Sequence, residues 1–313
     1  MEKNAKIYVA GHAGLTGSAI VRSLNRSGFH NIIGRRSSEL DLTRQQDVEK
    51  FFEEERPEYV FLCAAKVGGI NINNIHPAEF IYINLAIESN VIHSAYKYGV
   101  KKLEFMGSGC IYPRIVPQPI KEEYLLTGEL EKTNEAYAIA KIAGLKLCEY
   151  YNKQYGTHYI STMPCNLYGE GDNYNLVSSH VVPALIRKFH DAKMQNAPNV
   201  TIWGTGKAMR EFLHVDDVAD ACVYLMEHYD GTGWLNVGSG KDITIAELAA
   251  LVKKVVGYEG KIVYDTSMPD GTPRKLLDST KLFDLGWRPK IGLEEGLTRV
   301  YQDYLLHGDT YRR

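Results

Sequence analysis

Three glycines near the N-terminus, spaced three residues apart, constrain the fold of this chain most strongly. Gly11, Gly14 and Gly17 directly follow the apolar run 6–10 and precede a helical pattern that starts near Leu15. Glycines at this spacing allow a tight turn and let the backbone approach a phosphate, whose charge then meets the helix N-terminus. Because strand, loop and helix occur in this order, we predict a dinucleotide site here and not a chance turn.

Short apolar runs alternate with helical periodicity through the first half of the chain. The predicted strands are 6–10, 31–34, 59–63, 102–106 and 158–164, and the predicted helices are 15–28, 43–55, 77–99 and 133–156. Such alternation builds a parallel sheet covered by helices on both faces, with its ligand at the carboxyl ends of the strands. The fold class is therefore α/β, a Rossmann-type doubly wound parallel sheet with a smaller C-terminal α/β lobe.

The regular alternation ends after about residue 170. Further strands are predicted at 200–203, 234–237 and 262–264, and further helices at 180–193, 244–256, 279–285 and 292–306. We expect a dinucleotide-binding domain at 1–170, to which 211–235 returns, and a substrate lobe made of 171–210 and 236–313. A chain of 313 residues suits two such lobes with a sizeable core.

The composition excludes several classes of protein. Lys and Arg number 36 against 38 Asp and Glu, so we expect neither a nucleic-acid partner nor a membrane surface. No apolar run approaches the roughly 20 residues that span a bilayer, and the first strand starts so early that we expect no signal peptide. The 5 cysteines are scattered without a CxxC pair. Reduced thiols, a cytoplasmic location and no metal site are the resulting expectations.

A tyrosine and a lysine stand one helical turn apart in the sequence 137–141. Lys141 follows Tyr137 by four residues, so both side chains project from one helix face. A free phenol titrates near 10, and a nearby ammonium favours its ionised form, which should bring its pKa closer to neutral. Ser108 ends a predicted strand and is placed to donate to a carbonyl oxygen. With the glycine loop, this set predicts hydride transfer to or from a carbonyl carbon.

The residues after the second strand bear on the choice of dinucleotide. An NAD site usually has an acidic residue there, whereas this chain has Arg35 and Arg36. Arginine pairs with a 2′-phosphate, so we predict NADP(H), with Asp41 and Leu42 beside the adenine.

A thiol and an imidazole suggest a second reaction. Cys110 lies two residues beyond Ser108, and His180 opens a predicted helix. A ketone acidifies its neighbouring carbons, so a base and an acid beside it could exchange stereochemistry through an enolate. Taken alone these signals are weak, since a lone cysteine is more often a small buried apolar group and a lone histidine is more often structural.

Several motifs together resemble the extended short-chain dehydrogenase/reductase superfamily, and within it the GDP-L-fucose synthase family. They are residues 11–17, 65–70, 107–113, 137–141, 209–217 and 269–275. The resemblance runs almost end to end, and the segments AKVGGI, CIYP and PDGTPRKLLD are typical of that family in particular. It implies an NADPH-dependent 3,5-epimerase/4-reductase acting on GDP-4-keto-6-deoxy-D-mannose, and a homodimer paired through the helices 77–99 and 133–156.

The resemblance also implies a role for each matching residue. Tyr137 would be the general acid of reduction, Lys141 its partner and Ser108 the carbonyl donor, while Cys110 and His180 would be the base and acid of epimerisation. The implied substrate contacts are Lys188, Trp203, Arg210, Asp270 and Lys275. The implied cofactor contacts are Gly11, His12, Ala13, Gly14, Leu15, Thr16, Gly17, Arg35, Arg36, Asp41, Leu42, Met106, Gly107, Ser108, Gly109, Lys141, Pro164, Cys165, Asn166, Leu167 and His180.

Three positions depart from the family pattern, and other functions stay open. Gly109 stands where a second serine is common, Ala13 where an arginine can assist the 2′-phosphate, and Lys188 where an arginine is usual. The nearest alternative is a nucleotide-sugar 4-epimerase or 4,6-dehydratase of the same superfamily. A dehydratase would want a carboxylate beside the serine, where this chain has Cys110. A dinucleotide-sensing binding protein is more remote, because it would not need Tyr137, Lys141 and Ser108 together.

Overall fold

The computed structural model describes residues 1–268, 270–308 and 310–311, apart from the side chain of Ile70. The strands are β1 (Ile7–Ala10), β2 (Ile32–Ile33), β3 (Tyr59–Leu62), β4 (Lys102–Met106), β5 (Tyr159–Pro164), β6 (Asn166–Tyr168), β7 (Asn199–Trp203), β8 (Met209–His214), β9 (Gly233–Val237), β10 (Asp242–Thr244), β11 (Lys261–Asp265) and β12 (Arg274–Lys275). The helices are α1 (Leu15–Arg26), α2 (Gln45–Glu55), α3 (Ile70–Ile75), α4 (Pro77–Lys97), α5 (Glu135–Tyr155), α6 (Val181–Met194), α7 (Val215–His228), α8 (Ile245–Val256), α9 (Thr280–Asp284) and α10 (Leu293–His307).

A parallel six-stranded sheet forms the centre of the molecule. Its strand order is β2-β1-β3-β4-β5-β9, and each neighbouring pair is parallel. All four residues of β1 are buried because helices cover both faces of the sheet. Ile7 and Val9 face the core beneath α1 and α7, whereas Tyr8 and Ala10 face the core beneath α2, α4 and α5. This architecture confirms the predicted α/β fold class.

The smaller lobe is built around β8. This strand pairs with β10 antiparallel and with β12 and β6 in parallel, while β7 and β11 form a separate parallel pair. Helices α6, α8 and α10 bury a third apolar core against these strands, centred on Phe189, Leu248 and Val300. Within 211–235, α7 packs on α1 and β9 completes the central sheet, but most of β8 lies in the smaller lobe.

The predicted helices and strands occur in the structure with bounds that differ by at most two residues. Six elements were not predicted: α3, α7, β6, β8, β10 and β12. Helix α7 has 14 residues and lies in the segment 211–235, for which only a return to the first domain was expected. The other five have six residues or fewer, and the four strands among them pair with partners distant in sequence. Periodicity over so few residues carries little signal, so tertiary pairing determines these elements.

No helix among the described residues combines the length and the apolar character that a membrane span requires.

Lys102 ties β4 to the end of α7, on the side of the sheet opposite the carboxyl ends of its strands. Its buried ammonium donates to the carbonyl oxygens of Leu225, Met226 and Tyr229. The last carbonyls of a helix have no partners within the helix, and although that of Leu225 also accepts from the N–H of Tyr229, the cation supplies a donor to the other two and so caps α7.

Replacing Lys102 by methionine should therefore lower the free energy of unfolding by about 2 kcal/mol, because the carbonyls of Met226 and Tyr229 lose their donor, while that of Leu225 keeps the N–H of Tyr229. Denaturant unfolding measures this, and turnover should be unchanged. Lys101→Met is the matched control. Lys101 is half exposed and forms surface ion pairs with Glu2 and Glu58, which contribute little. Equal losses in the two variants would show that Lys102 is not a cap.

Candidate active site

The glycine loop after β1 has the shape that a pyrophosphate requires. Gly11 has φ +85°, in the region that favours glycine. A β-carbon on Gly17 would overlap the carbonyl group of Gly11, so the loop and the first turn of α1 pack too closely for a side chain. No side chain caps α1 at Gly14. The N–H groups of that first turn are thus available to an anion.

The other residues of the loop surround this cradle. Ala13 is exposed, Leu15 and Thr16 are half-buried, and His12 lies against Gly34, where a β-carbon would overlap the imidazole ring. Gly34 therefore lets the turn after β2 approach the glycine loop.

The two arginines after β2 differ in their surroundings. Arg35 is held by an ion pair with Glu55 (2.5 Å) and by its hydrogen bond to the carbonyl of Gly34. The exposed guanidinium of Arg36 has no such partner within the described residues, although its backbone N–H donates to Glu39. The carboxylates of Glu55 from α2 and of Glu39 from the turn after β2 thus lie beside the two arginines, which the sequence did not indicate. Arg36 is the arginine free to meet a 2′-phosphate.

Asp41 and Leu42 lie in the turn before α2. Asp41 accepts hydrogen bonds from the backbone N–H and the hydroxyl of Thr43, which lower the pKa of its carboxyl group. Leu42 is half-buried, and its carbonyl accepts from Asn90.

Met106 and Gly107 close β4 beside the end of β5. The N–H of Gly107 donates to the carbonyl of Thr162, and a β-carbon on Gly107 would overlap Met163. The segment 164–167 continues from β5 into β6, where Asn166 donates to the carbonyl of Glu211. The predicted nicotinamide-side residues therefore gather at the carboxyl edge of β4 and β5.

Ser108 and Cys110 share a single 3₁₀ turn after β4. The hydroxyl of Ser108 accepts from the N–H of Cys110 (3.3 Å) at the start of this turn. Gly109 is buried, and a β-carbon there would lie 3.1 Å from the carbonyl oxygen of Pro164, so the turn has little room for a serine. Burial raises the pKa of the Cys110 thiol, while the ammonium of Lys275 opposes the shift.

Tyr137 and Lys141 project from the same face of α5, as predicted. The Lys141 ammonium lies 5.9 Å from the centre of the Tyr137 ring, and Phe80 of α4 packs edge-on against that ring. The predicted lowering of the tyrosine pKa is not found. Burial raises the pKa of Tyr137 well above its ordinary value, and the charges of Cys110 and Glu88 raise it further.

The reason for this difference is the position of the lysine ammonium. Lys141 Nζ donates to the carbonyl of Met106 (2.9 Å) and forms an ion pair with Glu88 of α4 (3.1 Å). Both side chains of the pair are almost completely buried. Glu88 was missed in the sequence, because one acidic residue within an amphipathic helix is ordinarily solvated.

His180 occupies the N-cap position of α6, where its exposed side chain makes no capping hydrogen bond. Solvent reaches its side chain, but protein atoms crowd it from most directions, and this desolvation lowers the pKa of the imidazole. The loop before it is fastened to the segment 65–70: the N–H of Gly69 donates to the carbonyl of Ser178 (2.9 Å). A β-carbon on Gly69 would lie only 2.7 Å from the carbonyl oxygen of Ser179. Gly69 thus permits the close approach that places His180.

The predicted substrate residues form two groups in the smaller lobe. Lys188 of α6 lies 5.6 Å from the ring of Trp203, which is 54% exposed. Arg210 of β8 lies beside Lys275 of β12, its register partner. The carboxylate of Asp270 accepts from both the N–H and the hydroxyl of Thr205, and these bonds lower its pKa. Pro269, which precedes it in the motif, lies outside the described residues.

A separate cluster contains Glu170, His214 and Asp216, whose possible ligand atoms lie within 4.8 Å of one another. His214 Nδ1 accepts from the backbone N–H of Asp216 (3.2 Å), so in the neutral ring the proton is on Nε2, 3.4 Å from Glu170. Such a ring has no free lone pair for a metal. We interpret the cluster as the N-terminal cap of α7.

Comparisons with known proteins identify the family of this chain. The NAD dependent epimerase/dehydratase family matches residues 7–238. The chain is 62% identical over 305 residues to the putative GDP-L-fucose synthase 2 of Arabidopsis thaliana, covering 97% of this chain and 93% of that protein. It is 53% identical over 317 residues to the GDP-L-fucose synthase of Escherichia coli K12, covering 98% of each.

A solved structure is similar along its whole length. It is the GDP-mannoheptose C4 reductase from Campylobacter jejuni with NADP bound, which matches with a TM-score of 0.90 at 44% identity over 97% of this chain and 99% of that one. The chain therefore belongs to the NAD dependent epimerase/dehydratase family, and within it to the GDP-L-fucose synthases.

Proposed function

We propose that the protein converts GDP-4-keto-6-deoxy-D-mannose to GDP-L-fucose by 3,5-epimerisation followed by reduction of the 4-keto group. The observation that carries this proposal is the single 3₁₀ turn that holds Ser108 and Cys110 together near Tyr137. A carbonyl donor, a proton donor and a thiol base thereby lie close to one another. The synthases that the chain resembles at 53–62% identity support the same reaction.

NADP(H) is the cofactor, and the geometry of the chain fits it. The glycine loop and the uncapped end of α1 would hold its pyrophosphate, and Arg36 its 2′-phosphate. The segment 164–167 and the end of β4 would line the nicotinamide.

Reduction requires a hydride, a proton and a polarised carbonyl. NADPH, when bound, would be the source of the hydride. Ser108 donates a hydrogen bond to the carbonyl oxygen, which polarises the bond, and the Tyr137 hydroxyl gives that oxygen its proton. The raised pKa of Tyr137 suits this role, because a general acid has to be protonated when the reaction starts.

Epimerisation requires a base and an acid but no hydride. The Cys110 thiolate would take a proton from a carbon next to the ketone, leaving an enolate whose oxygen Ser108 stabilises. His180 would return a proton on the opposite face, which inverts the carbon without net oxidation. The Lys275 ammonium assists by opposing the effect of burial on the Cys110 thiol.

The GDP moiety fits the smaller lobe. Arg210 and Lys275 would meet the diphosphate as cations. Trp203, more than half exposed beside Lys188, offers a flat surface on which a guanine can stack. Asp270 offers a polar edge, although Thr205 already occupies part of its carboxylate.

A homodimer is part of this proposal. Helices α4 and α5 pack side by side and expose large apolar side chains: Tyr82, Ile139, Tyr150 and Tyr155 are 69%, 42%, 57% and 46% exposed. Such a face is typical of a helix-to-helix interface between two copies. We also propose a cytoplasmic location, which the five free thiols support. The division into 1–170 with 211–235, and 171–210 with 236–313, stays a proposal.

A 4-epimerase or a 4,6-dehydratase is the alternative function. Such an enzyme first oxidises its sugar and returns the hydride, so it retains its dinucleotide through each cycle. The absorbance spectrum of the purified protein distinguishes the cases, because a net reductase should be purified largely free of cofactor.

A first prediction from the proposed function separates the two proposed reactions. With GDP-4-keto-6-deoxy-D-mannose and NADPH, NMR should identify GDP-L-fucose. Tyr137→Phe should slow NADPH oxidation by about 10²–10⁴-fold, because it removes a general acid, yet it should still exchange the carbon-bound hydrogens beside the ketone with deuterated solvent. Cys110→Ser should stop that exchange, since a hydroxyl is far less acidic than a thiol. Mass spectrometry measures the incorporation. If Cys110→Ser incorporated deuterium at the wild-type rate, Cys110 would not be the base, and the proposed function would be limited to reduction of the ketone.

The second prediction concerns the arginines after β2. Arg36→Ala should raise the Michaelis constant for NADPH about tenfold or more, because it removes a charge-assisted hydrogen bond, and should leave that for NADH nearly unchanged. Arg35→Ala is the matched variant and should have the smaller effect, since Glu55 already engages Arg35. Steady-state kinetics with both cofactors measure this, and equal effects on NADPH and NADH would contradict it.

The third prediction concerns Gly69. A methyl group there would push the carbonyl of Ser179 and displace His180, so Gly69→Ala should slow solvent exchange on the order of 10²-fold. NADPH affinity should change little. Gly68→Ala is the control: a β-carbon there would lie 3.3 Å from side-chain atoms of Ile72 and Phe80, which can adjust. A Gly69→Ala variant that exchanges as fast as Gly68→Ala would show that this contact does not position His180.

A further inference from the structure

Two almost completely buried side chains form an ion pair close to Tyr137, the proposed general acid. Glu88 of α4 and Lys141 of α5 approach to 3.1 Å, and their side chains are 1% and 2% exposed. Burying two charges is unfavourable, and replacing such pairs by apolar residues often leaves stability unchanged or improves it. Stability alone therefore does not explain why a carboxylate occupies this position.

The neighbouring residue on α5 leaves room for the Glu88 carboxylate because it is a glycine. Gly144 lies about one turn after Lys141 on α5, and a β-carbon there would be 2.7 Å from Glu88 Oε2. The Phe105 ring of β4 lies 4.6 Å from the lysine ammonium. The third partner is the Met106 carbonyl, which accepts from Lys141 Nζ. The ammonium is thus fixed by a carboxylate, a carbonyl and an aromatic face.

This arrangement affects the protonation of Tyr137. An unpaired ammonium would draw the tyrosine toward its ionised form, whereas Glu88 offsets that charge and raises the pKa of the phenol. An enzyme that begins by oxidising a sugar needs this tyrosine as a base. A net reductase needs it as an acid.

We propose that Glu88 is a positioning residue that fixes the Lys141 ammonium and offsets its charge, so that Tyr137 stays in the acid form that carbonyl reduction requires. The proposal rests on the roles proposed above for Tyr137 and Lys141. It adds to them a residue that touches neither the substrate nor the cofactor.

Within the part of the chain that the structure describes, few charged groups act on Tyr137. Lys141 faces it from its own helix, Glu88 from α4 and Cys110 from the 3₁₀ turn. Glu88 in turn faces Lys141, and its charge also reaches Cys148 of α5. Of these charges, that of Glu88 can be removed by a single substitution that leaves the reacting groups in place.

Glu88→Gln tests the proposal, because it keeps the shape and removes the charge. The rate of reduction in single turnovers is measured against pH. A general acid loses its proton, and with it its function, as the pH rises through its pKa. Because the Glu88 carboxylate raises the pKa of Tyr137, removing that carboxylate should lower the Tyr137 pKa. The alkaline limb of the profile should therefore move to lower pH by about one unit. Deuterium exchange beside the ketone should be retained, since it does not need the tyrosine.

Glu104→Gln is the matched control. Glu104 is also buried, and burial raises the pKa of Glu88 and of Glu104 alike to about 7. Glu104 bonds to Thr162 and Cys222 beneath α7, on the opposite face of the sheet, and forms no ion pair with Lys141. Its variant should keep the wild-type alkaline limb. Thermal unfolding of both variants shows whether their folding losses are similar.

Two outcomes overturn the proposal: an alkaline limb in Glu88→Gln that coincides with the wild type, or one that moves to higher pH. Should Glu88→Gln not fold, NMR of tyrosine-labelled wild type replaces it, with the Tyr137 signal identified by its loss in Tyr137→Phe. Tyr137 should remain protonated at pH of about 10, the ordinary midpoint of a phenol, and titration well below that value overturns the proposal. A wild type that never oxidises NADPH with the keto sugar contradicts the proposed function instead.

Discussion

The hydrogen bond from Lys141 Nζ to the carbonyl of Met106 is the interaction on which the rest of the site depends. It joins α5 to the end of β4, the strand between β3 and β5. The residues that follow β4 are Gly107 and Ser108, and the N–H of Gly107 donates to the carbonyl of Thr162 of β5. Helix and strand therefore cannot shift independently, and the proposed proton donor, its lysine and the carbonyl donor move as one unit. Rigid placement of this kind is what proton and hydride transfer require.

The smaller lobe is attached to this unit through buried polar side chains. Glu211 of β8 accepts from the N–H groups of Gly240 and Leu277, and burial raises the pKa of its carboxyl group to about 7. Asn236 of β9 donates to the carbonyls of Ile120 and Asp278 and accepts from the hydroxyl of Tyr112. The strand that carries Arg210 is thus held against the central sheet by directional bonds. Such bonds fix a register that apolar packing alone leaves less defined.

Much of this arrangement could be predicted from the sequence because its causes are local. A glycine loop after a strand, a tyrosine and lysine four residues apart, and the spacing of Ser108 and Cys110 each determine geometry within one turn or one helix. What could not be predicted depends on contacts between distant segments. Glu88 approaches Lys141 only because α4 and α5 pack together, and Glu55 reaches Arg35 across 20 residues of chain. The predicted lowering of the Tyr137 pKa by Lys141 was wrong for the same reason. Sequence spacing shows that the ammonium lies near the phenol, but it does not show that the carboxylate of Glu88 lies beside that ammonium.

The two proposed reactions make different demands on the protein, and the structure meets them in different places. Reduction, as proposed, uses groups on the sheet edge and α5, where Lys141 and Glu88 are buried and a hydrogen bond and an ion pair fix the lysine ammonium. Epimerisation, as proposed, also uses His180, whose side chain is exposed and follows the loop that Gly69 contacts closely. A group that exchanges protons benefits from solvent nearby, whereas a hydride must be kept from it. The open side of the site therefore suits proton exchange, and its buried side suits the reduction that follows.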